Sequence, residues 1–240
     1  MKKPTHGSLY LIPTPLAPDT LDKSITSYTR NLISRLDYYV VENARTARRF
    51  ISSLKIGKSI DQLQFELLDK NTRAKEIFKL LSPLLNGHDV GLMSEAGSPG
   101  IADPGALLVE AAHRENIPVI PLVGPSSIFM ALMASGFNGQ SFSFHGYLPI
   151  EKTLRISNIR FMEKEAAKWN RTQIFMETPY RNNKLLDDLI RTCDPHTRLC
   201  IACNISSDEE FIQTKSLEQW KKNKPELHKK PTMFLLYGGE

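Results

Sequence analysis

One glycine- and proline-rich segment carries the residue types that most favour ligand chemistry. Residues 94–105 read Ser-Glu-Ala-Gly-Ser-Pro-Gly-Ile-Ala-Asp-Pro-Gly, and they follow an apolar run and precede a helical pattern. Ligands commonly bind in the crevice beyond the carboxyl ends of parallel strands, where glycines allow the backbone to approach them closely. The alternative is a plain strand-to-helix turn with Pro104 at the first helical position. Three glycines and two prolines in twelve residues favour a binding loop.

Three other turn-rich segments also follow short apolar runs. Residues 12–16 read Ile-Pro-Thr-Pro-Leu, residues 123–127 read Val-Gly-Pro-Ser-Ser, and residues 177–181 read Glu-Thr-Pro-Tyr-Arg. Ser126 is also a suitable cap for the helical pattern that follows it. One crevice shared by all four loops is the simplest explanation of their common position, and we expect it.

The sequence lacks the motifs of several common enzyme classes. No Gly-x-Gly-x-x-Gly follows a strand, and Ser52 stands where a P-loop ending in Gly57-Lys58-Ser59 requires its first glycine. Neither His-Glu-x-x-His nor Gly-x-Ser-x-Gly occurs, and the 6 histidines have no metal-ligand spacing. The odd set Cys193, Cys200 and Cys203 predicts buried strand thiols rather than disulfides or a zinc site.

The elements that position these loops follow from the spacing of apolar residues. Short runs rich in β-branched and aromatic residues predict strands at 9–12, 38–41, 90–93, 119–123, 142–145, 174–176, 199–203 and 233–237. Apolar residues at three- and four-residue steps predict helices at 25–36, 44–54, 72–85, 104–114, 126–135, 154–169 and 183–190. The early alternation predicts βαβ units on a mostly parallel sheet.

The pattern changes after Gly124, which predicts a second domain. We expect an α/β protein with an N-terminal domain over residues 1–122, built on a mostly parallel sheet, and a C-terminal domain over 123–240, built on a mixed sheet. Hydrophobic and charged contents of 41% and 24% are those of a folded globular protein.

The N-terminal region and the longest apolar stretch are both interrupted by prolines. Pro13, Pro15 and Pro18 break any signal-peptide helix, and Pro118, Pro121 and Pro125 break the apolar stretch at 117–134, so we expect a cytoplasmic protein. The formal charge of +5 suits an anionic partner such as RNA. Part of that charge is a lysine run at 221–230, which is typical of a solvated helix end and loop.

At the loops described above, the sequence resembles the tetrapyrrole methylase superfamily. Within it, the sequence is most similar to the branch that methylates a cytidine ribose 2′-hydroxyl of small-subunit ribosomal RNA. Residues 94–105 differ in three positions from that branch's Ser-Asp-Ala-Gly-Thr-Pro-Gly-Ile-Ser-Asp-Pro-Gly. Residues 41–45, 124–127, 144–149 and 177–181 resemble its Glu-Asp-Thr-Arg, Gly-Pro-Ser-Ala, Phe-Xaa-Gly-Phe-Leu-Pro and Glu-Ser-Pro-His-Arg segments.

The resemblance implies two α/β domains with S-adenosylmethionine held between them, no metal, and a homodimer. It implies cofactor contacts at Pro15, Gly97, Ser98, Ile101, Ser126, Ser127, Met176, Ile205 and Thr232. Among these, Ile101 and Met176 offer apolar surface to an adenine, and backbone groups of the glycine loop can bind the amino-acid end.

Methyl transfer from a sulfonium is an in-line displacement in which positioning supplies much of the acceleration. A ribose hydroxyl also benefits from a proton acceptor, and the candidate carboxylates are Glu42, Asp103 and Glu177, with Glu95 nearby. Candidate phosphate ligands are Arg45, Arg48, Arg49 and Arg181.

The methyl acceptor is left open by the residues themselves. Ala17-Pro18 stands where the rRNA branch usually has Gly-Asn, Asn43 replaces an acidic residue, and the branch's usual C-terminal extension does not follow the last predicted strand. An RNA ribose is the first expectation. The alternatives are a tetrapyrrole or another small acceptor, and a cofactor-binding protein without catalysis.

Overall fold

A computed structural model describes residues 6–238 of the chain. The chain separates into two compact units that divide between Ser126 and Ser127. Each unit has its own five-stranded sheet. No helix among the described residues combines the length and the apolarity that crossing a bilayer demands.

The first unit alternates strands and helices. In chain order its elements are β1 (Leu9–Ile12), α1 (Leu21–Ser24), α2 (Ser27–Ile33), β2 (Tyr38–Val41), α3 (Ala44–Ser53), β3 (Gln64–Leu67), α4 (Ala74–Leu80), α5 (Ser82–Leu85), β4 (Val90–Met93), α6 (Gly105–Arg114) and β5 (Val119–Pro121). The strands are all parallel, in the order β3-β2-β4-β1-β5. Helices joining parallel strands cover both faces of such a sheet, so its strands must be apolar on both sides.

The core residues of the first unit follow that rule. One cluster joins Val40 and Leu92 to Ile77, Leu84 and other apolar residues of α4 to α6. The other joins the neighbouring strand residues Val41 and Met93 to residues of α1 to α3. Adjacent residues of one strand thus enter opposite clusters, which is why the strands read as unbroken apolar runs in the sequence.

The second unit contains α7 (Ser127–Ser135), β6 (Phe142–Tyr147), α8 (Lys152–Trp169), β7 (Thr172–Met176), α9 (Asn182–Thr192), β8 (Arg198–Cys203), β9 (Phe211–Ser216), α10 (Leu217–Lys222) and β10 (Thr232–Tyr237). Its sheet has the order β6-β7-β10-β8-β9, and only β6 and β7 run parallel. Its core contains Trp220, whose indole N–H donates to the Leu199 carbonyl at 2.8 Å.

The structure corrects several predicted element boundaries. The helix predicted at 25–36 begins at Ser27, because Ile25 is extended and Thr26 caps the helix by accepting the Thr29 N–H. The helix predicted at 72–85 is interrupted at Leu81, and Pro83 lies in the first turn of the short helix that follows. The strands β3 and β9 and the helices α1 and α10 were not predicted. All three cysteines are buried free thiols, and Cys200 and Cys203 lie in β8 as expected. The prediction of a strand was wrong for Cys193, which follows the last residue of α9.

Candidate functional site

The loops that follow β1 and β4 are joined by their backbones at the carboxyl end of the first sheet. The Gly97 N–H donates to the Thr14 carbonyl at 3.0 Å, and the Thr14 N–H donates to the Gly97 carbonyl at 2.9 Å. The Thr14 hydroxyl also donates to the Ser94 carbonyl at 3.3 Å. Because β1 and β4 are neighbours in the sheet, these two loops leave it side by side.

The loop after β5 joins the same group. The Ser98 hydroxyl donates to the Pro125 carbonyl at 3.2 Å. An added Cβ at Gly124 would stand 2.2 Å from ring carbons of Pro13, so the Pro13 ring packs on the Gly124 backbone without room for a side chain. Three of the four loops expected to share a crevice therefore meet within the first unit. The fourth, at 177–181, belongs to the second unit.

The glycine-rich loop is shaped by left-handed backbone and one carboxylate. Gly97, Gly100 and Ala102 have φ values of +77°, +84° and +62°. Both Asp103 oxygens accept the Gly100 N–H, at 3.0 and 2.9 Å, and one of them accepts the Gly105 N–H at 2.7 Å. Burial raises the pKa of the Asp103 carboxyl, and these backbone donors partly oppose the rise. Asp103 therefore closes the turn that leads into α6.

The end of β2 brings a second carboxylate to the same edge of the sheet. Glu42 is half-buried, and one of its oxygens accepts the Glu95 N–H at 3.4 Å. Burial raises the pKa of Glu42, with a further contribution from the negative charge of Asp103. The Thr46 hydroxyl donates to Glu95 at 3.2 Å, which ties α3 to the glycine-rich loop. Glu42 has the fewest hydrogen bonds of the three predicted catalytic carboxylates.

The predicted phosphate-binding arginines of α3 lie on its solvent side. Arg45, Arg48 and Arg49 are exposed, whereas Ala47 and Ile51 face the core. The Arg48 guanidinium lies 5.2 Å from the centroid of the Phe65 ring. Among residues 6–238, none of the three arginines forms an ion pair with a carboxylate, so their charges face solvent.

In the second unit, Ser127 begins α7, and the other three predicted cofactor residues lie at one end of the sheet. Met176 ends β7, Thr232 begins the antiparallel β10, and Ile205 follows the end of β8. The register pairs Met233 with Met176 and Thr232 with Cys203, which places these positions at the same end of their strands.

The loop after Met176 is held by its own residues. Glu177 is buried, and one of its oxygens accepts two hydrogen bonds. The donors are the Thr178 N–H, with its nitrogen 2.6 Å away, and the Arg181 Nη2, 2.5 Å away. Glu177, a catalytic candidate, and Arg181, a candidate phosphate ligand, thus pair with each other. The Arg181 Nε is buried and has no hydrogen-bond partner among the described residues.

The glycine-rich loop of the first unit has open space beside Gly100 and exposed apolar surface at Ile101. The N–H and the carbonyl of Gly97 both bond to Thr14. Gly97 therefore contributes to the loop mainly by its lack of a side chain rather than by a hydrogen bond from its backbone to a ligand. An added Cβ at Gly100 would meet no atom within 4 Å, which leaves open space beside the loop, and the adjacent Ile101 is 45% exposed. Apolar surface beside backbone and hydroxyl groups is the composition typical of a small-molecule site.

Comparison with known proteins decides the family. The family model described as Tetrapyrrole (Corrin/Porphyrin) Methylases matches residues 18–220. The chain belongs to this family. It is therefore a methyltransferase whose methyl donor is S-adenosylmethionine, and the predicted superfamily, fold class, enzyme class and cofactor are confirmed.

Curated relatives are similar in sequence to this chain over two thirds or more of their length. A protein of Vibrio cholerae named ribosomal RNA small subunit methyltransferase I is 33% identical over 205 residues, which is 85% of this chain and 67% of that protein. A protein of the same name from Thermotoga maritima is 31% identical over 91% of this chain and 94% of that protein. The solved structure of the methyltransferase CobJ shares the fold with a TM-score of 0.64, at 16% identity, over 96% of this chain and 94% of that one.

The motif-based prediction missed several residues that build the site. Thr14, Leu16 and Thr46 hold the loops to one another through the contacts above or pack against Gly97. Thr14 and Leu16 lie in the loop predicted at 12–16, but the sequence indicated no specific role for either residue. Nothing in the spacing of Thr46 indicated its bond to Glu95.

Proposed function

We propose that this protein transfers the methyl group of S-adenosylmethionine to a ribose 2′-hydroxyl of small-subunit ribosomal RNA. The observation that carries the proposal is the match to relatives named for this RNA, one of them over 94% of its length. The methylase fold is also that of CobJ, but at 16% identity that likeness supports the fold alone.

The cofactor contacts that we propose follow the family pattern residue by residue. In the first unit they are Pro15, Gly97, Ser98, Ile101 and Ser126, and in the second they are Ser127, Met176, Ile205 and Thr232. The joined loops of the first unit support the first group, since Gly97 and Ser98 are fixed by hydrogen bonds within it. S-adenosylmethionine supplies the methyl group and the positively charged sulfur that leaves with the bonding electrons.

Glu42 is the carboxylate that we propose as the acceptor of the ribose proton. Its raised pKa makes it a stronger base than an ordinary glutamate, and only one long hydrogen bond occupies its oxygens. Asp103 and Glu177 are proposed to act on the site by holding loops, because their oxygens are already bonded to backbone N–H groups or to Arg181. Arg45, Arg48 and Arg49 are proposed to contact RNA phosphates, together with Arg181.

The acceptor is tested by methyl incorporation from labelled S-adenosylmethionine. Small ribosomal subunits from cells that lack the corresponding methylation are the substrate, and fully methylated subunits and a tetrapyrrole precursor are the controls. We expect label only in the undermethylated subunits. The phosphodiester bond after the labelled nucleotide is expected to resist alkaline cleavage, because its 2′-hydroxyl is methylated. Label in the tetrapyrrole instead would overturn the RNA proposal and favour the small-acceptor alternative.

We also propose that the protein acts in the cytoplasm as a homodimer, as two-fold pairs are the commonest soluble assembly. Light scattering at micromolar concentration is expected to give twice the chain mass of 27.2 kDa. A mass of one chain would contradict the dimer and leave the proposed reaction untouched.

A further inference from the structure

The solvent side of α8 carries cations that the proposed reaction does not use. Arg160, Lys164 and Lys168 are all exposed and follow one another at steps of four residues, which is about 6 Å of rise per step. The other side of the helix packs into the core through Ile159 and Met162. We call Arg160, Lys164 and Lys168 the α8 cationic row.

The carboxylates of the same helix serve partners within the second unit. Glu151 caps the first turn, and Glu163 accepts the Thr197 hydroxyl at 2.6 Å. Glu165 lies 3.9 Å from an Arg171 nitrogen. No described carboxylate forms an ion pair with the α8 cationic row. The row therefore presents uncompensated positive charge along one line of the surface.

Two aromatic side chains lie among these cations. Phe161 and Trp169 are 57% and 53% exposed, and the Lys168 ammonium lies 4.7 Å from the centroid of the Trp169 ring. A shallow groove beside Phe161 is lined by Lys152, Thr153, Ile156, Ser157, Arg160 and Lys164, which all belong to α8. Cations that track a phosphate backbone together with aromatic rings on which bases stack are the combination that binds single-stranded nucleic acid.

We propose that this face of α8 binds a single-stranded stretch of the RNA acceptor, with the α8 cationic row on phosphates and Phe161 against a base. The inference rests on the proposed function and names a second region of the chain that holds the same substrate. Exposed stacking surface favours RNA over an anionic protein, because unstacked bases offer flat rings as well as charge.

The topology of the second unit directs such an RNA toward the predicted site residues. Since β6 and β7 are parallel, the turn that opens α8 and the loop after Met176 leave the sheet at the same edge. Arg155 fixes that turn by donating to the Pro149 and Ile150 carbonyls at 3.2 and 2.7 Å. A strand that follows α8 toward its first turn therefore approaches the edge that carries Met176.

The charges are tested with the triple variant Arg160→Gln/Lys164→Gln/Lys168→Gln, since glutamine preserves helix propensity. The matched control, Lys70→Gln/Lys75→Gln/Lys79→Gln, removes three exposed cations from the first unit, so each variant lowers the formal charge from +5 to +2. Binding of a single-stranded RNA oligonucleotide and of undermethylated small subunits is measured over a range of salt concentrations.

We expect the α8 variant to bind RNA roughly a hundredfold more weakly at 0.1 M salt, about fivefold per lost contact, and to reduce the salt slope by about two units. S-adenosylmethionine affinity and melting temperature are expected to stay at parental values. Equal losses in the matched control would overturn the proposal, because net charge alone would then account for the effect.

Stacking is tested separately with Phe161→Ala and Phe161→Trp. The alanine variant is expected to weaken RNA binding about 5- to 150-fold with an unchanged salt slope, and tryptophan to restore it. If the triple variant and Phe161→Ala both bind RNA as tightly as the parent protein, the α8 proposal is wrong. Methyl incorporation by the parent protein would still support the proposed function in that case. Charge-dependent binding of α8 to phosphatidylserine vesicles, with RNA binding unaffected, would assign the face to a lipid surface instead.

Discussion

Gly97 joins two loops of the first unit through its backbone, in a left-handed conformation that disfavours a side chain. Its φ is +77°, and an added Cβ would stand 3.1 Å from the Leu16 Cδ2. Gly97→Val is expected to disturb the pairing with Thr14 and to raise the Kd for S-adenosylmethionine at least tenfold, about 1.4 kcal/mol, as measured by titration calorimetry.

Gly136→Val provides the matched control for that substitution. Gly136 has a similar φ of +72°, an added Cβ there would meet no atom within 4 Å, and the residue lies outside the proposed cofactor contacts. It therefore reports the strain of a side chain at positive φ without the loss of the loop pairing. If the two variants bind the cofactor equally well, Gly97 has a structural role only.

The pKa of Glu42 is raised, which suits a general base. Because burial raises its pKa, the acid limb of the pH profile of kcat/KM is expected above the range of an exposed glutamate, with activity lost as the pH falls through it. Glu42→Gln is expected to remove that limb and to lower kcat about 10²- to 10⁴-fold, with cofactor affinity unchanged. An unaltered profile in the variant would assign the proton to another acceptor.

The same raised pKa predicts the effect of Glu42 on stability. A carboxyl that binds its proton more tightly in the folded state favours folding below its unfolded pKa, and this contribution is lost as the pH rises through the folded value. At neutral pH the ionised, half-buried group therefore opposes folding. Glu42→Gln is expected to raise the melting temperature slightly at pH 7 and to have no such effect at pH 3.

At the scale of elements, the packing of α8 on α9 depends on one buried ion pair. The Arg155 Nε and Nη2 donate to the same Asp188 oxygen at 2.9 and 2.7 Å, and the side chains are 3% and 1% exposed. Removing Arg155 leaves the buried Asp188 charge with only the exposed Arg191 as a partner, so Arg155→Met is expected to lower the free energy of unfolding by about 3 to 5 kcal/mol in urea titrations.

Arg191 allows a direct comparison, because it binds the other Asp188 oxygen at 2.8 Å from a side chain that is 65% exposed. Arg191→Met is expected to cost less than about 1 kcal/mol, since solvent screens the exposed partner. The double variant Arg155→Met/Asp188→Leu is expected to recover most of the lost stability. Equal costs for the two single arginine variants would show that burial does not govern this cluster.

The exposed arginines of α3 carry a prediction about the acceptor. If RNA phosphates bind there, Arg45→Gln/Arg48→Gln/Arg49→Gln weakens RNA binding across sequences and reduces the salt slope by somewhat under one unit per arginine. Cofactor affinity is expected to stay unchanged, because these side chains face solvent. The Lys70→Gln/Lys75→Gln/Lys79→Gln variant is again the charge-matched control. An unchanged salt slope in the arginine variant would show that these arginines face solvent without contacting RNA.

Strands that read as apolar runs were predictable, including the edge strands β5 and β6, whereas the polar edge strands β3 and β9 were not. The predicted strands at 9–12, 38–41 and 90–93 coincide with β1, β2 and β4, whose neighbours on both sides require unbroken apolar runs. The edge strand β3 reads Gln-Phe-Glu-Leu, and three of its four residues are exposed, so it has no such run. The edge strand β9, Phe-Ile-Gln-Thr-Lys-Ser, was missed because four polar residues follow its first two apolar ones.

The candidate site was predictable in its loops and not in its contacts. Glycine and proline spacing marked the segments at 12–16 and 94–105, because turns need those residue types. The pairing of Thr14 with Gly97 depends on the strand order that makes β1 and β4 neighbours, and the buried Arg155–Asp188 pair joins residues 33 positions apart. Neither partner can be chosen from local spacing.

At the scale of the whole molecule, each unit is built on its own sheet and core. Two clusters pack against the parallel sheet of the first unit, and a separate cluster around Trp220 forms in the second. The residues proposed to contact the cofactor are divided between the units, so neither unit carries the whole set. A test of cofactor binding therefore requires the full chain.

The stability of the full chain is expected to increase when the cofactor binds. A ligand that binds only the folded state stabilises it by mass action, about 2.7 kcal/mol at a concentration of 100 times its Kd. For a protein of this size, each kcal/mol raises the melting temperature by about 2 to 4 °C, so S-adenosylmethionine and S-adenosylhomocysteine are each expected to raise it by about 5 to 10 °C in scanning calorimetry. ATP shares the adenosine group but lacks the amino-acid end and the sulfur, and it is expected to give a much smaller shift. An equal shift with ATP would show that the site recognises adenosine alone, and no shift with either sulfur compound would contradict the assignment of the methyl donor.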